Sequence, residues 1–263
     1  MRVLILSLLF LYGCDAPPSV YCFNNLKNKK YKEAICECTK AIKKDSKDVI
    51  SYENRASAKL NLDDNYGAII DYNKAIKLDP NDLESFKNRG IAKRNLGDIK
   101  GSIIDFNKAI KLDSEDFETY LYRGASKGDL GDYKGEINDC NKVIYLIPEF
   151  ALAYNNRGSG KGKLGDFKGE IIDCNKAIEI DPKYLDAYLN RASAKFNLGD
   201  RLGTIIDCNK AIRLDPKCGL AYLNRGVAKS DLGDLKGACL DWNKAGELGE
   251  WAAHDFIEKN CNK

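Results

Sequence analysis

Ten cysteines, a single histidine and a dense set of carboxylates are the residues of this chain that could do chemistry. Thiols can pair, hold a metal or attack an electrophile, and each use needs its own spacing. Cys36-Glu37-Cys38 has the wrong spacing for a zinc pair, and no histidine lies nearby. His254 is the only histidine and reads as a surface residue near the C-terminus rather than a ligand. Neither a phosphate loop nor a glycine-rich nucleotide fingerprint occurs. The carboxylates recur at a fixed interval instead of gathering in one asymmetric constellation, which catalysis requires. The expectation is a protein that is not an enzyme, with no metal and no cofactor.

The fixed interval is thirty-four residues. Asp71, Asp105, Asp139, Asp173, Asp207 and Asp241 form one series, and Arg55, Arg89, Arg123, Arg157, Arg191 and Arg225 form another. A period of this size marks a stack of supersecondary units. Within the unit that begins at Ala151, Ile171, Cys174, Ala177 and Ile178 fall at helical spacing. Leu164-Gly165-Asp166 supplies a glycine to end one helix and an aspartate to cap the next. Asp181-Pro182 stops the second helix, because the residue before proline leaves the α region. Each unit is therefore helix, tight turn, helix and stop.

Counted from Val49, Leu83, Phe117, Ala151, Leu185 and Gly219, these repeats resemble the tetratricopeptide repeat (TPR) family. The family's aromatic at position 4 is Tyr52, Phe86, Tyr120, Tyr154, Tyr188 and Tyr222, and its small residue at position 8 is Ala56, Gly90, Gly124, Gly158, Ala192 and Gly226. Its alanine at position 27 is Ala75, Ala109, Ala177, Ala211 and Ala245, with Val143 as the exception. The resemblance implies an all-α fold, a right-handed superhelical solenoid of stacked hairpins closed by a C-terminal capping helix. One departure stands out: position 7 is arginine in every repeat, where the family usually has leucine. Each arginine has an aspartate sixteen residues later, which reads either as a scaffold pair between two helices or as a rail for an anionic ligand. Glu136, Glu170 and the glycines 124, 128, 158, 160 and 162 also depart from the pattern and predict a soft middle.

In proteins this chain resembles, the first helices line a concave groove. Its position 6 is Asn54, Asn88, Asn156, Asn190 and Asn224, with Tyr122 as the exception, and such amides can bond an extended peptide backbone. Toward one end the other groove positions are charged, with Glu53, Glu84, Lys87 and Arg94; toward the other they are Leu189, Phe196, Leu220, Leu223 and Val227. The apolar end is expected to anchor a hydrophobic segment, unless these leucines pack between repeats. A stripe of Lys74, Lys108, Lys142, Lys176, Lys210 and Lys244 reads as a solvated face, each lysine three residues after an aspartate. Cys140, Cys174 and Cys208 recur one per repeat, too far apart to pair, and read as buried thiols. Cys239 and Cys261 are better placed for a disulfide.

Residues 1–13 carry Arg2 and an apolar run from Val3 to Tyr12, the layout of an export signal too short to span a bilayer. Leu11-Tyr12-Gly13-Cys14 resembles a bacterial lipobox, which implies an acylated Cys14 and a short tether over 14–18; an ordinary cleaved signal or an uncleaved apolar tail is the alternative. Between Lys27 and Lys47, eight lysines face three carboxylates, more than the whole chain's formal charge of +3. That basic stretch beside the anchor suits anionic headgroups, while the modest overall charge gives no reason to expect nucleic acid. Residues 19–48 read as a degenerate repeat, 49–248 as six full repeats and 249–263 as the cap. Two functions remain open: a membrane-tethered scaffold for a protein or peptide ligand on the outer side of a bacterial membrane, or a structural component of an envelope assembly acting through its convex face and ends. A secreted or periplasmic soluble protein is the alternative location.

Overall fold

The turn inside each repeat sets the architecture. The computed structural model describes residues 16–261. In it Gly97, Gly131, Gly165, Gly199 and Gly233 end their helices at φ between +79° and +86°, a left-handed conformation that a Cβ disfavours. The next residue caps the following helix: the Asp166 carboxylate accepts the Gly169 N–H at 2.9 Å. Asp64, Asp98, Asp132, Asp200 and Asp234 do the same for the glycine three residues on. At the far end, Asp79, Asp181 and Asp215 precede prolines and are extended. Asp113 is extended too, although Ser114 follows it, and it accepts the Glu115 N–H at 2.8 Å. The aspartate turn is thus a helix stop in its own right.

These signals yield fifteen helices and no strand among the described residues. They fall into two compact units divided after Ser126. Unit 1 holds α1 (Pro18–Lys27), α2 (Tyr31–Lys44), α3 (Val49–Leu60), α4 (Asn65–Leu78), α5 (Leu83–Asn95), α6 (Ile99–Leu112) and most of α7 (Phe117–Asp129). Unit 2 holds the end of α7, then α8 (Tyr133–Leu146), α9 (Ala151–Lys163), α10 (Phe167–Ile180), α11 (Leu185–Asn197), α12 (Arg201–Leu214), α13 (Gly219–Asp231), α14 (Leu235–Glu247) and α15 (Ala252–Asn260). Within each unit, consecutive helices pack side by side. The first helices of neighbouring hairpins also touch, α1 with α3 and α3 with α5, then α9 with α11 and α11 with α13, whereas no two second helices come into comparable contact. The layer whose members stand closer is the inner one, so first helices form the inner face of each unit.

Across each hairpin, facing residues sixteen apart are matched in size. Gly226 faces Trp242 and Gly90 faces Phe106, where an added Cβ would lie 2.6 and 2.7 Å from the ring. Ala56 faces Tyr72 in one buried cluster, and Gly158 faces Cys174. Cys140, Cys174 and Cys208 are buried here, and burial pushes their thiols up to about 12. They act as small apolar fillers. In α1/α2 the matching places are taken by Cys22 and Cys38, which are bonded, with Cα atoms 5.0 Å apart. The sequence reading missed this pair, although its separation of 16 is the hairpin's own facing interval. At the other end Cys239 and Cys261 are bonded, Cα–Cα 5.7 Å, and Trp242 stacks on Phe256 of α15 at 5.0 Å.

The repeated arginine and aspartate meet. Asp173 is 1% exposed and accepts Nε and Nη2 of Arg157 at 3.0 and 2.6 Å. Lys161 adds a third bond at 2.8 Å, and the remaining Nη1 of Arg157 donates to Asn141 of the preceding hairpin at 2.8 Å. The guanidinium also lies 5.3 Å from the Tyr154 ring centre. Arg55 with Asp71, Arg89 with Asp105, Arg191 with Asp207 and Arg225 with Asp241 repeat the fork, each with its lysine, Lys59, Lys93, Lys195 or Lys229. The asparagine acceptors are Asn73, Asn107, Asn175 and Asn209, and Thr39 serves Arg55 in the first hairpin. The arginines are therefore spent on the scaffold, and no rail of open guanidinium groups exists among them.

Two outcomes follow for chemical unfolding of the whole chain. Gly226→Ala should cost about 1–3 kcal/mol through overpacking against Trp242, and close to nothing when Trp242→Cys is made as well, because Ala192 and Cys208 already hold these places in α11/α12. Arg157→Leu should cost about 3 kcal/mol, since Asp173 stays buried with only Lys161. An unchanged midpoint for Arg157→Leu would contradict the scaffold role.

Candidate functional site

The inner-face asparagines are half-buried, but they are not an evenly free ladder. Asn190 donates its Nδ2 to Asn155 at 2.9 Å, and the Nδ2 of Asn54 is enclosed without a partner in the protein. Asn88, Asn156 and Asn224 stand half-buried at the equivalent places. Of the apolar set, Leu223 is only 9% exposed and belongs to the core around Trp242, and Leu189 packs against Tyr188, Ala211 and Ala221. Leu220 remains 40% exposed.

The structure brings Phe196, Asn224 and Val227 together. With Ala192, Ser193 and Thr204 they line a cleft of about 100 Å³ between α11, α12 and α13 of unit 2. One side of Phe196 is covered by the Arg201 guanidinium, 3.8 Å from the ring centre. Arg201 is held in turn by Asp231 at 2.6 Å, which ties α12 to α13 at the cleft edge. Thr204 spends its hydroxyl on the Ala192 and Asp200 carbonyls, so the floor makes no unmet polar demand. The result is a mostly apolar recess that suits an apolar side chain, with the Asn224 amide in its lining.

The charged end, in unit 1, largely satisfies itself. Lys87 is 7% exposed and is held by Glu84, Asp116 and Glu118 at 3.0, 3.4 and 3.1 Å. Burial and the neighbouring Asp82 push Glu53 up to about 8. On the second helices, Lys176 and Lys244 pair with Glu179 and Glu247, since the aspartate three residues earlier is already buried under its arginine and lysine.

Unit 2 holds two further carboxylates that the sequence marked as departures. Glu136 on α8 and Glu170 on α10 reach toward gaps left by glycines of the first helices. A Cβ on Gly128 would meet the Glu136 carboxylate at 2.7 Å, one on Gly160 would meet it at 3.4 Å, and one on Gly162 would meet Glu170 at 2.0 Å. Glycine and glutamate are therefore size-matched across the hairpin, as Phe196 and Thr204 are one repeat later. The expected soft middle acquires a packing reason: these glycines make room. Burial pushes both carboxyls up to about 7, against the pull of Lys163. Among the described residues no cluster of three or more His, Cys, Asp or Glu side chains is placed to hold a metal, and no described helix is long and apolar enough to cross a membrane. Cys14 lies outside the described residues.

A carboxyl whose folded pKa is raised contributes stability below about pH 4.5, its ordinary value, and loses it as pH rises through about 7. The melting temperature should therefore fall between pH 5 and pH 8. Glu136→Gln with Glu170→Gln should flatten that fall and stabilise the chain at pH 8 by about 1–3 kcal/mol, leaving the smaller share owed to Glu53.

Comparison with known proteins agrees with this architecture. No curated protein matches the chain. Among solved structures, a tetratricopeptide repeat protein from Parabacteroides merdae is 18% identical with a TM-score of 0.72, over 93% of this chain and 98% of that one. MamA is 28% identical with a TM-score of 0.57, over 63% of this chain and 96% of its own. YrrB, described as a TPR protein with an unusual peptide-binding site, is 22% identical with a TM-score of 0.60, over 70% and 95%. The tetratricopeptide repeat model itself matches residues 49–82, 84–116, 151–184 and 185–218. Hairpins of that length, ended by the same turns and stacked with their first helices innermost, make this chain a member of the tetratricopeptide repeat family.

Proposed function

We propose that this protein is a non-catalytic scaffold, tethered to the outer side of a bacterial membrane, that holds a peptide or protein segment on the inner face of its first helices. The single observation that carries the reading is the cleft of unit 2, where Phe196, Val227 and the Asn224 amide converge. An apolar side chain of the ligand would enter it while Asn224 bonds the ligand's backbone. YrrB, a TPR protein with an unusual peptide-binding site, supports this use of a TPR surface.

The N-terminal helices support the tether. A lipid on Cys14 would leave α1 and α2 beside the bilayer, and there Lys27, Lys29, Lys30, Lys32, Lys40, Lys43, Lys44 and Lys47 are all exposed, with Tyr21 and Phe23 exposed at 42% and 47%. Exposed aromatics among lysines suit an anionic interface. Two bonded cysteine pairs fit an oxidising compartment. A structural role through the outer face is the second reading, favoured by one row: Ile172, Ile206 and Leu240 recur at the same place on α10, α12 and α14 and are 66%, 63% and 66% exposed.

Photo-crosslinking in the native cell separates the two. A probe at Ser193 should give one dominant adduct that Val227→Glu removes. Capture from positions 206 and 240, with none from 193, would replace the groove scaffold by the structural reading. Metabolic labelling with a fatty acid should mark the full chain and not Cys14→Ser; equal labelling would remove the tether.

A further inference from the structure

Every other buried carboxylate of a second helix in unit 2 that is described with its partners has a cation against it. Asp173, Asp207 and Asp241 each have an arginine and a lysine, and Asp139 has Lys127 at 2.8 Å. Glu136 and Glu170 have none. Neither takes part in a hydrogen bond or an ion pair, although Glu170 is 7% exposed and Glu136 is partly buried. Lys163 at the end of α9 attracts both from beyond ion-pair distance, while Asp129 on α7 repels Glu136. A buried carboxylate without a partner is costly. The chain accepts that cost twice, in successive repeats, and accepts interior glycines at 128 and 162 to make room for it.

The geometry also says which way the recesses open. Gly128 and Gly162 occupy the place in α7 and α9 that Phe196 occupies in α11, and Phe196 lines the inner-face cleft. A side chain at this place covers the second helix behind it. Glycine uncovers it, so the carboxylates of Glu136 and Glu170 stand behind gaps in the same inner face. The gaps at Gly128 and Gly162 lie on first helices one repeat apart, and helices packed against each other are spaced by about 10 Å. A segment in the polyproline II form advances about 3.1 Å per residue with three residues per turn, so two side chains three residues apart leave it on the same side, about 9 Å from each other, and would reach both recesses.

We infer that these two glycine-walled recesses are the specificity determinant of the groove: they receive two basic side chains, arginine or lysine, spaced about three residues apart in a bound segment of polyproline II form. This rests on the peptide-scaffold reading and adds the chemistry of the ligand. The guanidinium or ammonium of the partner would supply the charge that the fold withholds, and its entry would favour the ionised carboxylates. Binding should therefore strengthen as pH rises through about 7, where Glu136 and Glu170 lose their protons, opposed by burial and, for Glu136, by Asp129, and aided by Lys163. Cys140 and Cys174, buried behind them, stay protonated over this range.

The test uses the full chain carrying Cys14→Ser and the blocked peptide acetyl-Ala-Arg-Ala-Ala-Arg-Ala-amide, with glutamine in place of arginine as the neutral probe. Titration calorimetry at pH 8 should show binding of the arginine peptide that Glu136→Gln/Glu170→Gln weakens by about tenfold or more, the size of a charge-assisted bond. Lys163→Ala should tighten it, because the competing cation is gone, and at pH 5.5 the unsubstituted protein should bind like the double variant. Equal weakening by Glu149→Gln/Glu179→Gln, which removes the same charge from the surface, would overturn the inference, as would an affinity that the double variant leaves unchanged. Melting of the double variant at pH 8, no lower than that of the parent, shows that a loss of binding is not a loss of fold. The two readings fail separately. Partner capture from Ser193 that persists in the double variant overturns the basic-segment inference alone, whereas arginine-peptide binding without capture from Ser193 overturns the groove scaffold and leaves the recesses standing.

Discussion

A carboxylate that the fold buries at the centre of each of the six full repeats has to be neutralised, and much of the architecture answers that demand. Asp173 lies at 1% exposure between two helices, where an unpaired charge would cost more than most single contacts return. Arg157 forks onto it, Lys161 completes it, and the spare nitrogen of Arg157 reaches Asn141 on the hairpin before. One charge therefore fixes the two helices of its own repeat and the seat of that repeat on its neighbour. Planar bidentate geometry is what makes arginine suited to this, since a lysine at that place could not bond both carboxylate oxygens and the asparagine together. The aromatic three residues earlier lies against the guanidinium and limits its freedom.

Around that network the apolar packing is set by matched sizes. Glycine faces tryptophan or phenylalanine, alanine faces tyrosine, and in the first hairpin cysteine is bonded to cysteine. The same rule governs a second contact, where Phe196 stands over Thr204 but Gly162 stands over Glu170. The first match closes the surface and leaves a mostly apolar cleft beside it; the second opens the surface over a charge. The inner face thus varies inside a fixed frame. The turns, caps and ion pairs are the same in nearly every repeat, and the repeats differ where the inner face differs.

The two ends are secured differently from the middle. Bonded cysteines close the α1/α2 hairpin and join α15 to α14, where Phe256 covers the apolar surface of Trp242. Stacked hairpins draw stability from both neighbours, so a terminal one has half the support. A covalent link between helices compensates by limiting how far they separate when the end opens.

Much of the frame was legible in the sequence. Helices α3, α5, α7, α9, α11 and α13 begin at Val49, Leu83, Phe117, Ala151, Leu185 and Gly219, where the period places them, because local caps and turns fix those boundaries without help from distant residues. The Arg157–Asp173 pair was legible for the same reason: a constant interval inside a hairpin is a constant distance. The third and fourth partners, Lys161 and Asn141, carried the same periodic signal and were passed over, as was the sixteen-residue separation of Cys22 and Cys38. What the sequence could not decide was which inner-face residues stay open. Leu223 and Val227 are both apolar and share a helix, yet Leu223 turns into the core and Val227 lines the cleft. Asn190 and Asn224 are the same residue at the same place, yet Asn190 bonds to Asn155 and Asn224 lies in the cleft lining. Period and capping are properties of a single hairpin and are written along the chain. Exposure is a property of how one hairpin sits on the next, so it came only from the tertiary structure.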